Sequence, residues 1–131
     1  MENQEITESI LGACFEVANE LGTGFLESVY EKALLVALRD KGLQSRSQVA
    51  IPVHFRNHPV GEFYADILVE DRVVVELKAA KQLAPEHLAQ VINYLKATHL
   101  ETGLLVNFGS GKLEYRRLHN RIERPCSIRG Q

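Results

Sequence analysis

The chain has 131 residues, of which 45% are hydrophobic, and a formal net charge of −2. This length suits a single domain, which we predict over residues 1–119, followed by a basic tail over residues 120–131. The mild acidity gives no global attraction to nucleic acid, and no apolar stretch approaches the roughly 20 residues that cross a bilayer, so we expect no membrane partner. The first residues lack a basic segment followed by an apolar run, so we expect a cytoplasmic protein whose two cysteines are free thiols.

Two amphipathic helices open the predicted fold. Apolar side chains recur at helical spacing over residues 5–20, which predicts a first helix that ends near Gly22. A second helix starts near Thr23 and buries an apolar stripe up to Gly42. We therefore expect two consecutive helices before the first strand.

A strand over residues 44–55 leads into a β-hairpin over residues 62–78. Side chains alternate in both hairpin strands, and the apolar faces are Phe63, Ala65, Ile67 and Val69 in the first and Val73, Val75, Leu77 and Ala79 in the second. Paired residues of an antiparallel ladder share a face, so Val69 opposes Val73 and a three-residue connection joins the strands.

The polar face of this hairpin carries the residues most indicative of chemistry. In the predicted register Asp66 lies opposite Glu76, and Lys78 follows on the same face. Paired Cβ atoms lie about 5 Å apart, so two ionised carboxylates repel each other unless a cation or a proton lies between them. Two acids and a lysine are typical of sites that hold a divalent cation beside a phosphodiester; a solvated sheet face with a surface ion pair is the alternative.

A third helix and two strands complete the chain. Pro85 fits the first turn of a helix that runs to about Thr98 and carries a polar stripe of His87, Gln90 and Tyr94. Residues 102–107 have an apolar centre of Leu104, Leu105 and Val106 that is typical of a central strand, and residues 112–118 follow as its edge partner. The element order is ααβββαββ, and the fold class is α/β.

Charge is unevenly distributed along the chain. Residues 1–31 contain glutamate but no lysine or arginine, whereas basic residues dominate from Lys112 onward. The basic residues of this region are Lys112, Arg116, Arg117, Arg121, Arg124 and Arg129, against Glu114 and Glu123. They could steer a phosphate backbone, or they could form a solvated tail.

Four motifs together resemble a known superfamily. Asp66, the Glu76-Leu77-Lys78 triplet and the Gln90 to Tyr94 segment look like the D, E-x-K and Q-x-x-x-Y motifs of the PD-(D/E)XK nucleases. Residues 24–30, Gly-Phe-Leu-Glu-Ser-Val-Tyr, are similar to the motif of the GxxExxY proteins, a bacterial and archaeal branch of that superfamily. The chain departs from the name in having Ala65 where a proline precedes the acid. The resemblance implies a restriction-endonuclease-like core, a mixed sheet flanked by helices.

The resemblance also implies roles for individual residues. Asp66 and Glu76 would offer carboxylate oxygens to Mg²⁺ or Mn²⁺, with the backbone carbonyl of Leu77 and the side chain of Glu27 as further ligands. Lys78 would hold or help deprotonate the attacking water and offset transition-state charge. Substrate contacts would come from Tyr30, Gln90 and Tyr94.

The function implied by the resemblance is a metal-dependent nuclease acting on DNA or RNA, with Asp66, Glu76 and Lys78 as catalytic residues. The alternative is a catalytically silent module that keeps this fold to bind nucleic acid or a protein. Because so small a core offers little surface for reading sequence, we expect the protein to act on nucleic-acid structure or ends, to form a homodimer, or to be delivered to its target by a partner protein.

Overall fold

The computed structural model describes residues 2–120 and contains three helices and five strands in the predicted order. Their bounds are α1 Asn3–Leu21, α2 Glu27–Asp40, β1 Ser45–Phe55, β2 His58–Val69, β3 Val73–Lys78, α3 Pro85–Thr98, β4 Thr102–Asn107 and β5 Glu114–His119. Most of the basic tail, residues 121–131, lies outside the described part of the chain. No helix within residues 2–120 combines the length and the apolar character needed to span a membrane.

The five strands form one mixed sheet in chain order, β1-β2-β3-β4-β5. Only β3 and β4 run parallel, because α3 connects them as a crossover, and the other neighbours are antiparallel. Strand β4 is buried along its whole length and β5 forms an edge, as predicted from their composition. The sheet is therefore of the mixed α/β kind expected from the sequence.

Two apolar clusters cover the two faces of the sheet. The larger joins α1 and α2 to residues such as Ile67, Val75 and Leu104, and the smaller joins α3 to residues such as Ala65 and Val74. The helices pack through the stripes that the helical periodicity marks, because each must bury its apolar side. The site described below lies on the neighbouring strands β2 and β3, and polar side chains of α2 and α3 reach it.

The predicted hairpin register is correct near the turn and fails further along. Val69 pairs with Val73 and Ile67 with Val75, and the three-residue connection is present. Within that connection Glu70 and Asp71 both have φ near +55°, a conformation adopted here without glycine. The ladder between β2 and β3 ends at Ile67, so the two strands separate at Asp66 and Glu76 instead of continuing as a pair.

The apolar faces of β2 also differ from the simple alternation. Ile67 packs in the cluster under α1 and α2, whereas Ala65 and Phe63 pack in the cluster under α3. The side on which the strand is buried thus changes at Asp66. On the neighbouring strand, Gln48 lies level with Asp66 and has a φ of 51°, which is unusual for a side chain larger than glycine. Beyond this distortion, the outer part of the β1–β2 hairpin packs against α3.

Candidate metal and phosphodiester site

The fork between β2 and β3 places a buried acid beside a second carboxylate. Glu76 is only 4% exposed, and its Oε1 has no hydrogen-bond partner among the described residues. Asp66 accepts a hydrogen bond from the Leu77 amide, Oδ2 to N at 2.8 Å, so its side chain substitutes for the missing ladder bond. The strand separation that the sequence did not predict is what brings the Asp66 side chain to the β3 backbone.

Burial and like charge both perturb Glu76. Desolvation, followed by the negative charge of Asp66, raises the pKa of Glu76 from 4.5 to about 7; Lys78 and the Asp66 backbone amide oppose the rise. A carboxylate in such surroundings is poorly tolerated without a compensating cation or proton. An unpartnered, buried carboxylate oxygen next to a second acid therefore fits a hard cation that prefers oxygen ligands.

Lys78 lies on the α3 side of the sheet with Glu76. Its Nζ is 3.4 Å from Glu76 Oε2 and donates to Gln90 Oε1 at 3.2 Å, and its side chain is 17% exposed. Gln90 in turn donates from Nε2 to the Tyr94 hydroxyl at 2.6 Å. The structure thus joins Lys78 and the polar stripe of α3 in one hydrogen-bond chain, with the ammonium group held by two acceptors.

Tyr94 is built into the core more deeply than a base-stacking residue would be. It is 5% exposed, and its ring stacks on Phe63 with centroids 4.2 Å apart. Burial, followed by the charges of Glu76 and Asp66, raises the pKa of Tyr94 to about 12, while the hydrogen bond with Gln90 lowers it. The ring is unavailable for stacking on a substrate base, and the hydroxyl instead orders Gln90.

Tyr30 does not reach the surface, so the predicted substrate contact does not fit its position. The side chain is fully buried, and its hydroxyl donates to the Gly22 carbonyl at 2.6 Å and accepts from the Phe25 amide at 3.3 Å. Its ring stacks on Phe108, with centroids 4.7 Å apart. Tyr30 therefore fixes the loop before α2 against the core.

Glu27 and Glu31 occupy successive turns of α2, and the structure links the second one to the site. Glu31 Oε1 accepts from Gln48 Nε2 at 3.0 Å, and the same nitrogen lies 3.4 Å from Asp66 Oδ1. Burial is the main cause that raises the pKa of Glu31, and the charges of Asp66 and Glu27 add to it. The Glu27 side chain is exposed and forms no hydrogen bond or ion pair with another residue in the 2–120 range.

The predicted set of three acidic ligands is not assembled around one point. No group of three or more His, Cys, Asp or Glu side chains within residues 2–120 could hold a metal ion together. The site therefore offers the Asp66 and Glu76 carboxylates and nearby backbone. Sequence reasoning missed Glu31 and Gln48; the spacing of four between Glu27 and Glu31 was the only signal, since it places both on one face of the helix.

Comparisons with known proteins agree with the fold. Residues 4–118 match the sequence profile of the PD-(D/E)XK nuclease superfamily. A crystal structure of a protein named SSO0001 superposes with a TM-score of 0.58 at 16% identity, over 73% of this chain and 50% of that one. The chain thus spans about half the length of SSO0001, and at this identity the likeness shows the fold alone. A comparison with curated proteins gave no match. The profile match covers most of the chain, and the protein belongs to the PD-(D/E)XK nuclease superfamily.

Proposed function

We propose that the protein is a nuclease that uses Mg²⁺ or Mn²⁺ to hydrolyse phosphodiester bonds of DNA or RNA. The observation that carries the proposal is the buried Glu76 carboxylate, with one oxygen unpartnered, between Asp66 and Lys78. Superfamily membership supports the same chemistry. The narrower placement in the GxxExxY branch is proposed from residues 24–30 alone.

The residues of this chain would divide the work as follows. Asp66, Glu76 and the Leu77 carbonyl would hold the cation, which when bound polarises the phosphoryl group and acidifies water. The Lys78 ammonium group donates hydrogen bonds to the phosphate and the attacking water. Its positive charge stabilises the negative charge that grows there during the reaction. Gln90, held by Tyr94, keeps the ammonium group aimed at Glu76.

We propose that Glu31, rather than Glu27, supplies the third negative charge near the cation. Gln48 connects Glu31 to Asp66, so the two acids and the amide form one polar group beside β2. The charge of Glu31 would strengthen cation attraction without direct ligation, since no three acids converge among the described residues. We also propose that a second copy of the chain or a partner protein delivers the substrate.

Metal-dependent cleavage is the direct test. The purified protein is incubated with labelled single-stranded DNA, duplex DNA and RNA, each with Mn²⁺, Mg²⁺ or EDTA, and the products are separated on a denaturing gel. We expect cleavage with either cation and none in EDTA, and none from Asp66→Asn under any condition. Intact substrates throughout, with a folded protein, would count against nuclease activity.

The alternative is a silent module of nuclease fold, and the absence of three converging metal-ligand side chains within residues 2–120 is the observation in its favour. Thermal unfolding separates the two functions. A ligand that binds only the folded state stabilises it by about 2.7 kcal/mol at 100 times its dissociation constant, so Mn²⁺ should raise the melting temperature by several degrees.

The same measurement distinguishes the acids. Asp66→Asn should lose the Mn²⁺-induced shift in melting temperature, and Glu31→Gln should reduce it. Glu27→Gln, one helical turn away, is the matched control and should keep it. A module without a metal site would show no shift in the wild-type protein, and an equal loss in the Glu27 and Glu31 variants would refute the role given to Glu31.

A further inference from the structure

A cationic groove lies beside the proposed cleavage site, toward β4 and β5. It has a volume of about 440 Å³ and contains the exposed side chains of Lys81, Lys112 and Arg116. The rest of its lining is Gln82, Ser110, Leu113, Glu114 and Tyr115. Lys81 and Lys112 form no ion pair with any residue in the described range 2–120. Three cations facing one acid leave this groove with an excess of positive charge in an otherwise acidic protein.

The single acid of the groove has a structural task. Glu114 Oε1 accepts hydrogen bonds from the Leu83 amide at 3.2 Å and from Asn107 Nδ2 at 3.1 Å. Its other oxygen is 3.9 Å from Arg116, a distance at which an exposed pair contributes little. Glu114 therefore neutralises the groove only in part while it anchors the loop that carries Lys81.

The two loops that carry the lysines are fixed against each other. Asn107 is fully buried and bonds to both the amide and the carbonyl of Ala80, each at 2.9 Å. Gly109 approaches the same backbone so closely that a Cβ there would lie 2.6 Å from Ala80 N. Because side chains on preorganised loops lose less entropy on binding, the cations suit a ligand with regularly spaced negative charges.

Glu114 and Arg116, which line part of the groove, lie on the same side of the sheet as Lys78, whereas Tyr115, at the edge of the groove, faces the α1 side. Lys78 pairs with Asn107, and Asn107 pairs with Glu114, so two strand spacings, about 10 Å, separate the lysine from the groove. Arg116 alternates with Tyr115, which packs on Phe15 of α1, so Arg116 projects to the opposite, α3 side. At a rise of about 3.4 Å per nucleotide, roughly three nucleotides bridge this distance.

We propose that Lys81, Lys112 and Arg116 bind backbone phosphates of the nucleic acid about three nucleotides from the bond that is cleaved. The inference rests on the proposed nuclease function and adds the direction in which the substrate strand leaves the site, across β4 toward β5. The contacts are to phosphates, so they contribute affinity and register without reading sequence.

The test is the salt dependence of binding. Fluorescence anisotropy of a labelled 12-nucleotide strand is measured in EDTA, so that nothing is cleaved, between 50 and 200 mM salt. Lys81→Ala/Lys112→Ala should weaken binding about tenfold and make the plot of log K against log salt shallower by roughly 0.7 per lost phosphate contact. Arg116→Ala should act in the same direction.

Arg117 offers a matched control, because it neighbours Arg116 on β5 and alternates to the other side of the sheet. Arg117→Ala should leave affinity and salt slope near the wild-type values. Equal effects of Arg116→Ala and Arg117→Ala, or an unchanged slope in the double lysine variant, would overturn the groove assignment. If the groove assignment fails but cleavage still requires Asp66, the proposed nuclease function stands. If the salt slope changes as expected but no substrate is cleaved, the groove assignment stands and the nuclease function is refuted.

Discussion

Replacing Lys78 with alanine is expected to lower the cleavage rate of the metal-loaded protein by at least about 100-fold, because the loss of one preorganised cationic hydrogen-bond donor at the reacting phosphate has an effect of that size. The ammonium group is held 3.4 Å from Glu76 Oε2 and 3.2 Å from Gln90 Oε1, so it reaches the site in a fixed position. The measurement is the single-turnover cleavage rate of a labelled oligonucleotide at saturating Mn²⁺.

The control for this variant is Lys41→Ala. Lys41 pairs with Glu16 at 3.1 Å, at the end of α2, and lies outside the proposed site. Its removal should leave the rate near wild type. Oligonucleotide affinity measured in EDTA should change far less than the rate in Lys78→Ala, since the lysine is assigned to the transition state. Wild-type cleavage by Lys78→Ala would remove it from the mechanism.

Glu76→Gln is expected to stabilise the metal-free protein at pH 8 by as much as about 3 kcal/mol, because each unit of pKa difference between the folded and unfolded states is worth about 1.4 kcal/mol. The same substitution should destroy cleavage. The pKa of Glu76 rises from 4.5 to about 7 in the folded state. The folded protein therefore holds a proton that the unfolded chain releases between these values, and stability falls as pH increases through that window. The neutral amide of the variant avoids the buried charge.

Urea unfolding in EDTA at pH 5 and pH 8 measures this difference. The stability of Glu76→Gln minus that of wild type should be small at pH 5 and large at pH 8. Glu20→Gln, at an exposed position of α1, is the control. Adding Mn²⁺ at pH 8 should stabilise only the wild-type protein and so reduce the gap. A stability difference that is the same at both pH values would contradict the assigned pKa.

Much of the fold follows from local sequence. The bounds predicted for α3 and β4 are those of the structure, because Pro85 starts the helix and the apolar residues Leu104, Leu105 and Val106 form the centre of the strand. The turn of the hairpin was also predictable, since Val69 and Val73 must face the same core. These features depend on residues close in sequence, and periodicity reports them directly.

The candidate site was predictable only in part. Motif spacing picked out Asp66, Glu76 and Lys78, and the structure brings these residues together. The spacing gave no sign that β2 separates from β3 at Asp66. The separation coincides with the unusual backbone of Gln48 on β1 and with packing against α3, and both involve residues distant in sequence. The motif also suggested Tyr30 as a substrate-binding residue, whereas in the structure its ring is part of the core.

The sequence by itself determined the order of elements, the register at the hairpin turn and the choice of Asp66, Glu76 and Lys78 as candidate site residues. Alternation and spacing are properties of neighbouring residues, so the sequence reports them directly. Only the tertiary structure decided that Glu76 is buried with an unpartnered oxygen, that Glu31 rather than Glu27 is linked to Asp66, and that Tyr94 stacks on Phe63. Burial and electrostatic environment are summed over groups far apart in the chain, so no local pattern encodes them.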